Sequence, residues 1–429
     1  MMPASRRVDS MDFAKGVAVC AGGVCTVLGV TDAHAGYGAY TSGQGVRSSA
    51  AGGIVYALVQ DSTTLSANPA LARQLGPRID GLIEYNSASS HVDVNGNLLG
   101  QNDDYKSSQR DFVFPQAGFV VPLTEQLSVG MTGFVAGFGS RYKPNPFQRF
   151  GAEERVTLAL NQVGLSTALA YELAPDQTLG LSLNLSYDAI EITGVQSLAL
   201  FSETPQRFSD QGRSGVFGVG FSVGWYGRLT PWLTAGAGYR TQTWGQGRFE
   251  EYEGLFPEQG TVEFPAIFGG GFAVTPVNGW TVAVEIQRVP YSDQPAFGNP
   301  LSQIERNRFG SDDGPGFGWK DQTIGRVAVI YTPNLQWTLR LGYSRGTQQM
   351  ARSETLFGTL GPDTSIQHYA CGVSWDNDRG WEFSGAFVYS PSSTVRGKDS
   401  IPTLAGGGEV DVGMHAVTAA FAVTRHFDF

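Results

Sequence analysis

One stretch decides the fold: Leu179-Gly180-Leu181-Ser182-Leu183-Asn184-Leu185-Ser186-Tyr187-Asp188. Large apolar residues alternate with small or polar ones, so a strand here has one apolar face and one polar face. A soluble β-sandwich also alternates in this way. The polar face here is also made of small residues, which suits a water-filled lumen better than a solvent-exposed surface. The stretch therefore predicts a membrane strand of a β-barrel, with its apolar face toward lipid.

A proline turn, Ala174-Pro175-Asp176, comes just before this strand, and similar turns recur along the chain. The other copies contain Pro122, Pro231, Pro276 and Pro333. Successive copies are about 50 residues apart, enough for one long loop and two membrane strands of roughly 9–11 residues each. The turns therefore mark the short connections at one end of a barrel, which we assign to the periplasmic side.

Counting strands between these turns predicts seven hairpins, at 79–121, 127–173, 178–228, 232–274, 280–332, 336–375 and 381–429. The sixth turn lacks proline and has Asp376-Asn377-Asp378-Arg379-Gly380 instead. The chain is thus predicted to be all-β, a transmembrane antiparallel barrel of about 14 strands over residues 79–429. Long loops, taken as extracellular, are expected near 89–108, 140–158, 194–213, 246–260, 291–321, 347–366 and 391–413.

Composition agrees with a barrel in lipid. Only 16% of the 429 residues are charged, against roughly 25% in soluble domains. The 57 glycines and 12% aromatic residues suit small lumen faces and aromatic girdles. After residue 35, no apolar run approaches the roughly 18 residues of a membrane helix. The formal net charge of -10 argues against a nucleic-acid partner.

The first 35 residues have the organisation of an export signal. Arg6, Arg7 and Lys15 precede or flank the apolar stretch 16–30, and Ala33-His34-Ala35 fits a small-x-small cleavage site before residue 36. Met1 and Met11 both remain possible starts. After cleavage, Cys371 is the remaining cysteine of the mature chain, which excludes an intrachain disulfide.

Residues 36–78 form a small-residue segment with no strand pattern. Near its end, Asn68 is placed to cap a short helix over 68–75, Pro69 occupies the first helical position, and Gly76-Pro77 stops it. A barrel of 14 strands leaves an open lumen unless something fills it. We therefore predict that this segment is a hatch that plugs the lumen.

The motif Leu65-Ser66-Ala67-Asn68-Pro69-Ala70-Leu71, together with the signal peptide and a barrel ending in Phe429, resembles the FadL/TodX-type outer-membrane transport proteins. The resemblance implies a hatch held by Asn68, Pro69 and Ala70. It implies passive transport of long-chain fatty acids or hydrocarbons, without cofactor, catalytic residue or metal. It places the chain in the bacterial outer membrane among lipid and lipopolysaccharide, as a monomer inserted by the barrel assembly machinery through Phe429.

In that family, hydrophobic substrates are captured by outer loops and leave sideways at a kinked third strand. The third strand here loses its alternation after Gly133, since Phe134 and Phe138 lie among Gly137 and Gly139. Glycines inside a strand mark bulges or bends. We predict a lateral opening at these five residues; an irregular strand end is the alternative.

Apolar residues in two long loops are candidates for substrate capture: Leu198, Leu200, Phe201, Phe208, Phe249, Tyr252, Leu255 and Phe256. Exposed apolar patches often mark interaction sites, although these side chains could instead pack one loop against another. A substrate carboxylate would need a cation in the lumen. The candidates are Arg155, Arg240, Arg326 and Arg340, each of which could instead pair with a lumen acid.

Three other functions make different predictions about the sequence and the cell. A barrel phospholipase needs a Ser/His pair, but His91, His368, His415 and His426 lie in no recognisable motif, so we predict no enzyme. A general diffusion porin would lack the hatch and have a charged constriction. An adhesin or purely structural barrel predicts no uptake role.

Overall fold

The computed structural model describes residues 36–427, so the predicted signal peptide and Phe429 lie outside the described residues. Fourteen antiparallel strands form the barrel wall. In chain order they are β1 Arg78–Asn95, β2 Asp111–Pro122, β3 Leu127–Tyr142, β4 Val156–Ala174, β5 Gln177–Thr193, β6 Ser214–Thr230, β7 Leu233–Arg240, β8 Ile267–Val277, β9 Trp280–Val289, β10 Gln322–Tyr331, β11 Trp337–Gly346, β12 Gln367–Asp376, β13 Trp381–Val395 and β14 Glu409–His426.

The wall closes on itself because β14 pairs with β1 over the full length of both strands, from Glu409–Asn95 to His426–Arg78. Every other strand pairs with its neighbours in sequence. The predicted all-β barrel of about 14 antiparallel strands is confirmed. Arg78, which the sequence assigned to the hatch, is the first residue of β1.

The two ends of the barrel differ in the length of their connections. Short turns join the strands at 123–126, 175–176, 231–232, 278–279, 332–336 and 377–380. Long loops occupy the opposite end, at 96–110, 143–155, 194–213, 241–266, 290–321, 347–366 and 396–408. The proline turns therefore lie among the short connections at one end of the barrel, as expected.

The long loops contain short regular elements. Two short strands, Asp103–Lys106 and Trp244–Gly245, extend the wall beside β1 and β6. The 3-10 turns are Pro146–Phe150, Gln196–Phe201, Pro205–Arg207, Glu250–Tyr252, Tyr291–Asp293, Leu301–Glu305 and Thr403–Ala405. The helical turns are Pro257–Gly260, Pro295–Gly298 and Thr355–Gly358. Between residues 36 and 427, no helix is long and apolar enough to cross a membrane.

Strand β5 shows how the alternation positions the wall. Leu181 faces outward and is 65% exposed, with Leu179, Leu183 and Leu185 on the same face. Asn184 faces inward, is buried and donates to Ser222 Oγ of β6 at 2.8 Å. Apolar side chains therefore meet lipid, and polar side chains satisfy one another inside the barrel.

Aromatic side chains gather at the end with the short turns. Trp280 stacks on Tyr331 across β9 and β10, with ring centroids 4.3 Å apart. Trp375 of β12 stacks on Phe383 of β13 at 5.9 Å. Such girdles lie at the membrane–water interface, because these rings suit a partly apolar environment.

Residues 36–77, called here the N-terminal segment, lie against the inner side of the wall. The segment was expected to have no strand, but Gly36–Tyr37 and Tyr40–Thr41 form a small two-stranded hairpin. Its other elements are a helix at Gly45–Ala50 and 3-10 turns at Ser62–Ser66 and Pro69–Leu71, the last continuing into a helical turn at Ala72–Leu75. The predicted helix over 68–75 is therefore two successive turns.

Candidate functional site

One buried carboxylate of the wall holds residues 55–57 of the N-terminal segment. Glu285 of β9 accepts the backbone N–H groups of Val55, Tyr56 and Ala57 at 2.8, 2.6 and 2.9 Å. Hydrogen bonds to an ionised acceptor are stronger than neutral ones. Three of them on one side chain hold this part of the segment in a fixed position.

Asn68 joins the segment to both itself and the wall. Its side-chain oxygen caps the following turn by accepting the N–H of Ala70 at 3.2 Å. Its amide nitrogen donates to the carbonyls of Tyr56 and Trp225, at 3.0 and 3.1 Å. Asn68 was predicted to cap a helix. It also connects two parts of the segment, its own turn and Tyr56, to β6.

Glycines in the wall make room for the same motif. A Cβ atom at Gly180 of β5 would overlap the backbone nitrogen of Ala70, and one at Gly224 of β6 would overlap the Asn68 side chain and come within 2.8 Å of Pro69 Cδ. The sequence interpretation missed these glycines. Both glycines lie on the inward face of neighbouring strands, where the alternation predicts a side chain. This position was the signal available in the sequence.

One ion pair joins the segment to the barrel end with the short turns, and a second lies within β1 beside it. Arg47 pairs with Glu382 of β13 at 2.7 Å, and Arg78 pairs with Asp80 on β1 at 2.8 Å. Asp80 also accepts the backbone N–H of Ser62 at 3.0 Å. All these groups except the tip of Glu382 are deeply buried, so each needs its partner to offset desolvation.

Asp376, Glu382 and His426 bring three potential ligand atoms within 4.8 Å of one another. Glu382 already pairs with Arg47 at 2.7 Å and approaches His426 Nε2 at 3.4 Å. The ion pairs account for this cluster, and we assign no metal to it.

The barrel wall is interrupted beside β3. Strand β3 pairs with β4 from Leu127 to Tyr142, but its pairing with β2 covers only Ser128–Thr132 opposite Gly118–Pro122. An isolated bridge between Ser107 and Tyr142 rejoins the wall on the loop side. Between these two contacts, β2 residues 111–117 and β3 residues 133–140 share no ladder pairs, and this unpaired stretch of the wall is called here the wall gap.

At the residues predicted to kink, β3 has one glycine with an unusual backbone conformation. Gly137 has φ +142°, and a Cβ there would overlap the Leu160 carbonyl. Its N–H donates to the carbonyl of Ala39 in the N-terminal segment, at 2.7 Å. Phe134 lies under the guanidinium of Arg240, 4.0 Å from ring centroid to Cζ, and is fully buried. Both faces of β3 are buried from Gly133 to Ser140.

The sequence interpretation missed a second signal at this opening. Pro115 lies in the middle of β2, within the part that pairs with β1 alone. Proline lacks an N–H donor, so within sheets it is confined to edges and bulges. The proline inside this alternating strand was therefore a signal, available in the sequence, that β2 has an unpaired edge facing the residues predicted to kink.

Apolar side chains border the wall gap on the inside. Phe112 and Phe114 of β2 pack with Val135 of β3 and with Ala88 and Met414 from β1 and β14. The adjoining cavity, called here the wall cavity, has a volume of about 290 Å³. Its lining residues are Ala88, Ser90, Ser107, Gln109, Phe112, Gly139, Ser140, Arg141, Pro362 and Met414.

The predicted capture residues come together, but mostly as buried packing. Phe208, Phe249, Tyr252, Leu255, Phe256 and Leu198 are buried in one cluster under the loops, and Phe201 packs against it. Leu200 is 81% exposed. These side chains therefore pack one loop against another, which was the alternative to substrate capture. Of the eight, Leu200 alone presents a large apolar surface.

Two of these residues border a cavity of about 270 Å³, called here the loop cavity. It is lined by Ile192, Leu255, Phe256, Phe309, Pro315, Gly316, Phe317, Phe357 and Leu360. None of these residues has a polar side chain. The loop cavity therefore offers dispersion contacts and no hydrogen-bonding side chain.

The four candidate arginines lie in different surroundings. Arg155 is exposed just before β4, and Arg340 donates to Ser374 Oγ at 2.7 Å. Arg240 and Arg326 are buried and donate to Gln162 at 3.1 Å and to Gln287 at 2.7 Å. These two alone line a common cavity of about 430 Å³ between the N-terminal segment and the wall.

The first described residues are held by outer-loop side chains. Tyr291 donates to the carbonyl of Tyr37 at 2.6 Å and accepts the N–H of Ala39 at 2.9 Å. Burial raises the pKa of the Tyr291 hydroxyl well above its usual value, so it remains a donor. Asp363 accepts the N–H of Gly38 at 2.8 Å. Residues 36–39 thus connect two loops to Gly137 of β3.

A family model described as outer membrane protein transport protein (OMPP1/FadL/TodX) matches residues 25–429. A search of curated protein sequences finds no significant match. Among solved structures, the Pseudomonas putida toluene transporter TodX has a TM-score of 0.68 at 18% identity, covering 90% of this chain and 99% of its own. A Pseudomonas aeruginosa FadL homologue has a TM-score of 0.69 at 14% identity, covering 91% and 100%.

The Ralstonia pickettii toluene transporter TbuX has a TM-score of 0.63 at 15% identity, covering 90% of this chain and 99% of its own. At these identities the likeness shows a common fold.

Proposed function

Because this chain belongs to the OMPP1/FadL/TodX family of outer-membrane transport proteins, we propose that it carries hydrophobic small molecules passively across the bacterial outer membrane. The proposed cargo is a hydrocarbon or a long-chain fatty acid. The wall gap is the observation that carries the proposal. An opening lined by Phe112, Phe114 and Val135 gives a hydrophobic molecule a way out of the barrel without crossing water.

Entry takes place at the outer loops. The exposed Leu200 offers a first apolar contact, and the loop cavity below offers an environment without polar side chains. A molecule with little polar surface gains free energy in such a cavity, at roughly 25 cal/mol per Å² of apolar area removed from water. The concentration gradient of the hydrophobic molecule supplies the driving force, and no cofactor is required.

The N-terminal segment acts as a fixed hatch. Glu285, Asn68 and Arg47 fasten it at three separate places in the barrel. A route straight through the lumen would require breaking these contacts together, whereas a route through the wall gap leaves them intact. We therefore propose that the molecule leaves laterally at Gly133, Phe134, Gly137, Phe138 and Gly139.

The solved structures named as toluene transporters support a hydrocarbon cargo. A carboxylate cargo would be held by Arg240 and Arg326, which face the same cavity beside the N-terminal segment. The protein is proposed to act as a monomer in contact with lipid and lipopolysaccharide, and its terminal Phe429 to engage the barrel assembly machinery.

Filling the wall cavity tests lateral exit. Ala88 lines this cavity, so Ala88→Trp should strongly reduce uptake of radiolabelled toluene and palmitate by cells producing the protein. Ala117→Trp is the matched control, because Ala117 is next to the inward-facing Gly118 on β2 and faces outward. Equal uptake by wild type and both folded variants would contradict lateral exit. Folding is checked by heat-modifiable migration of the barrel in gels.

A general diffusion porin is the second candidate, and conductance separates the two. The contacts of Glu285 and Arg47 predict a lumen closed by the N-terminal segment. Purified protein in planar bilayers should therefore give no large steady ion conductance. A stable nanosiemens-scale pore would support the porin instead.

A further inference from the structure

One acidic side chain lies beside the wall gap without a partner. Glu84 of β1 is paired in the ladder with Phe114 of β2, in the middle of the stretch 111–117 that has no ladder pairs with β3. The even-numbered residues of β1 face inward, and Glu84 is 8% exposed. Among residues 36–427, its side chain has no hydrogen bond and no ion pair. An ionisable side chain at membrane depth is a candidate functional group by default.

The residues directly beside Glu84 on the wall are uncharged. Ala420 of β14 and Phe114 of β2 are its partners on the two neighbouring strands. Asn86, the next inward-facing residue of β1 toward the loops, donates to Thr418 Oγ1 at 2.8 Å and not to the carboxylate. The wall therefore supplies neither a cation nor a hydrogen-bond donor to this acid.

The other charged groups on the same strand face and on the helix packed against it have partners of their own. Arg78 pairs with Asp80 at 2.8 Å on the inward face of β1. The helix Gly45–Ala50 packs against β1 and β14, and its Arg47 pairs with Glu382 at 2.7 Å. A buried charge is costly unless it is paired. The carboxylate beside the wall gap therefore still lacks a counter-charge.

The outer loops carry the same sign of charge where cargo is proposed to enter. Loop 241–266 contains five glutamates and a single arginine. Glu250 and Glu251 are exposed, while Leu255 and Phe256 of the same loop line the loop cavity. Negative potential at an entrance raises the local concentration of cations and their rate of association. A cation with an apolar body therefore finds an acidic surface and apolar side chains on one loop.

We propose that the protein also carries hydrophobic amines, and that Glu84 is the counter-charge for their ammonium group at the wall gap. The inference rests on the proposed function, because the amine uses the same lateral route. A charged group is costly in the bilayer core, so the amine leaves as a neutral molecule. One N–H bond of the ammonium breaks, and its proton forms an O–H bond with the Glu84 carboxylate. The acid then returns this proton to water at its exposed edge, which restores the carboxylate.

The test compares 2-phenylethylamine with propylbenzene, in which a methyl group replaces the amino group. Initial uptake of each radiolabelled compound is measured in cells producing the full chain, relative to cells without it. Glu84→Gln should lower the uptake rate of 2-phenylethylamine about tenfold, because it removes a counter-charge from a site shielded from water. The uptake rate of propylbenzene should not change. Glu84→Asp keeps the carboxylate and should keep most of the amine uptake.

Asp93→Asn is the matched control, because Asp93 lies on the opposite face of the same strand. It should leave the uptake of both compounds unchanged. Three results in folded variants would overturn the inference: wild-type amine uptake in Glu84→Gln, an equal loss in Glu84→Asp or Asp93→Asn, or an equal fall for propylbenzene. Failure of propylbenzene uptake by the wild type to exceed that of cells without the protein would instead contradict the proposed function.

Discussion

Replacing Glu285 by glutamine should release part of the N-terminal segment while leaving the barrel folded. The carboxylate accepts the N–H groups of Tyr56 and Ala57 on one oxygen and that of Val55 on the other. The glutamine oxygen can keep two of these bonds without their charge. Its NH₂ group would face the third N–H and leave a buried donor without an acceptor.

The size of the effect follows from these bonds. An unsatisfied buried donor costs about 1–3 kcal/mol, and weakening two charge-assisted bonds adds to that loss. Removing a buried charge recovers part of its desolvation cost. The net change is about 2 kcal/mol, or roughly a thirtyfold increase in local opening.

Hydrogen–deuterium exchange with mass spectrometry measures this opening directly, because backbone amides exchange when their contacts open. In the Glu285→Gln variant, amides 55–57 should exchange roughly thirtyfold faster than in wild type. Glu263→Gln is the control, since Glu263 accepts from Gln242 and Gly245 in an outer loop. Unchanged exchange at 55–57 would refute the view that Glu285 fastens the segment.

Three further outcomes are expected. Asn68→Ala removes a cap and two donated bonds, so the N-terminal segment should become about 1–2 kcal/mol easier to open, measured as faster protease cleavage in folded barrels. Gly180→Val places a side chain where Ala70 lies, so the segment should fail to seat and steady conductance should appear in planar bilayers. Leu181→Arg puts a charge on the lipid face and should cost about 2–4 kcal/mol of unfolding free energy in lipid vesicles, measured by denaturant titration.

Much of the architecture could be predicted because membrane strands obey a simple rule. Leu179 to Asp188 alternate strictly, and the structure places Leu181 in lipid and Asn184 in the lumen, as the sequence predicts. Five proline turns, together with the proline-free turn at 376–380, predicted the seven hairpins. The rule is local, since each residue's face depends only on its parity along the strand.

The interior was harder to predict because its contacts join residues far apart in sequence. Glu285 looks like any lumen acid until three amides of residues 55–57 are found against it. The loop residues around Phe208 looked like a surface patch because sequence cannot show which loops cover one another. Pro115 and Gly180 could be recognised in the sequence as unusual residues for their positions. Their structural meaning depends on which strand or segment lies opposite.

The hydrogen bond from Gly137 to Ala39 also has a consequence for how the molecule is made. The N–H of Gly137 is satisfied by the carbonyl of Ala39 in the N-terminal segment and not by a neighbouring strand. A buried N–H without an acceptor is costly, so the observed form of β3 is favoured when residue 39 lies inside the barrel. We therefore expect the N-terminal residues to reach the lumen before the third strand takes its final shape. A chain without residues 36–39 should leave the N–H of Gly137 without this acceptor.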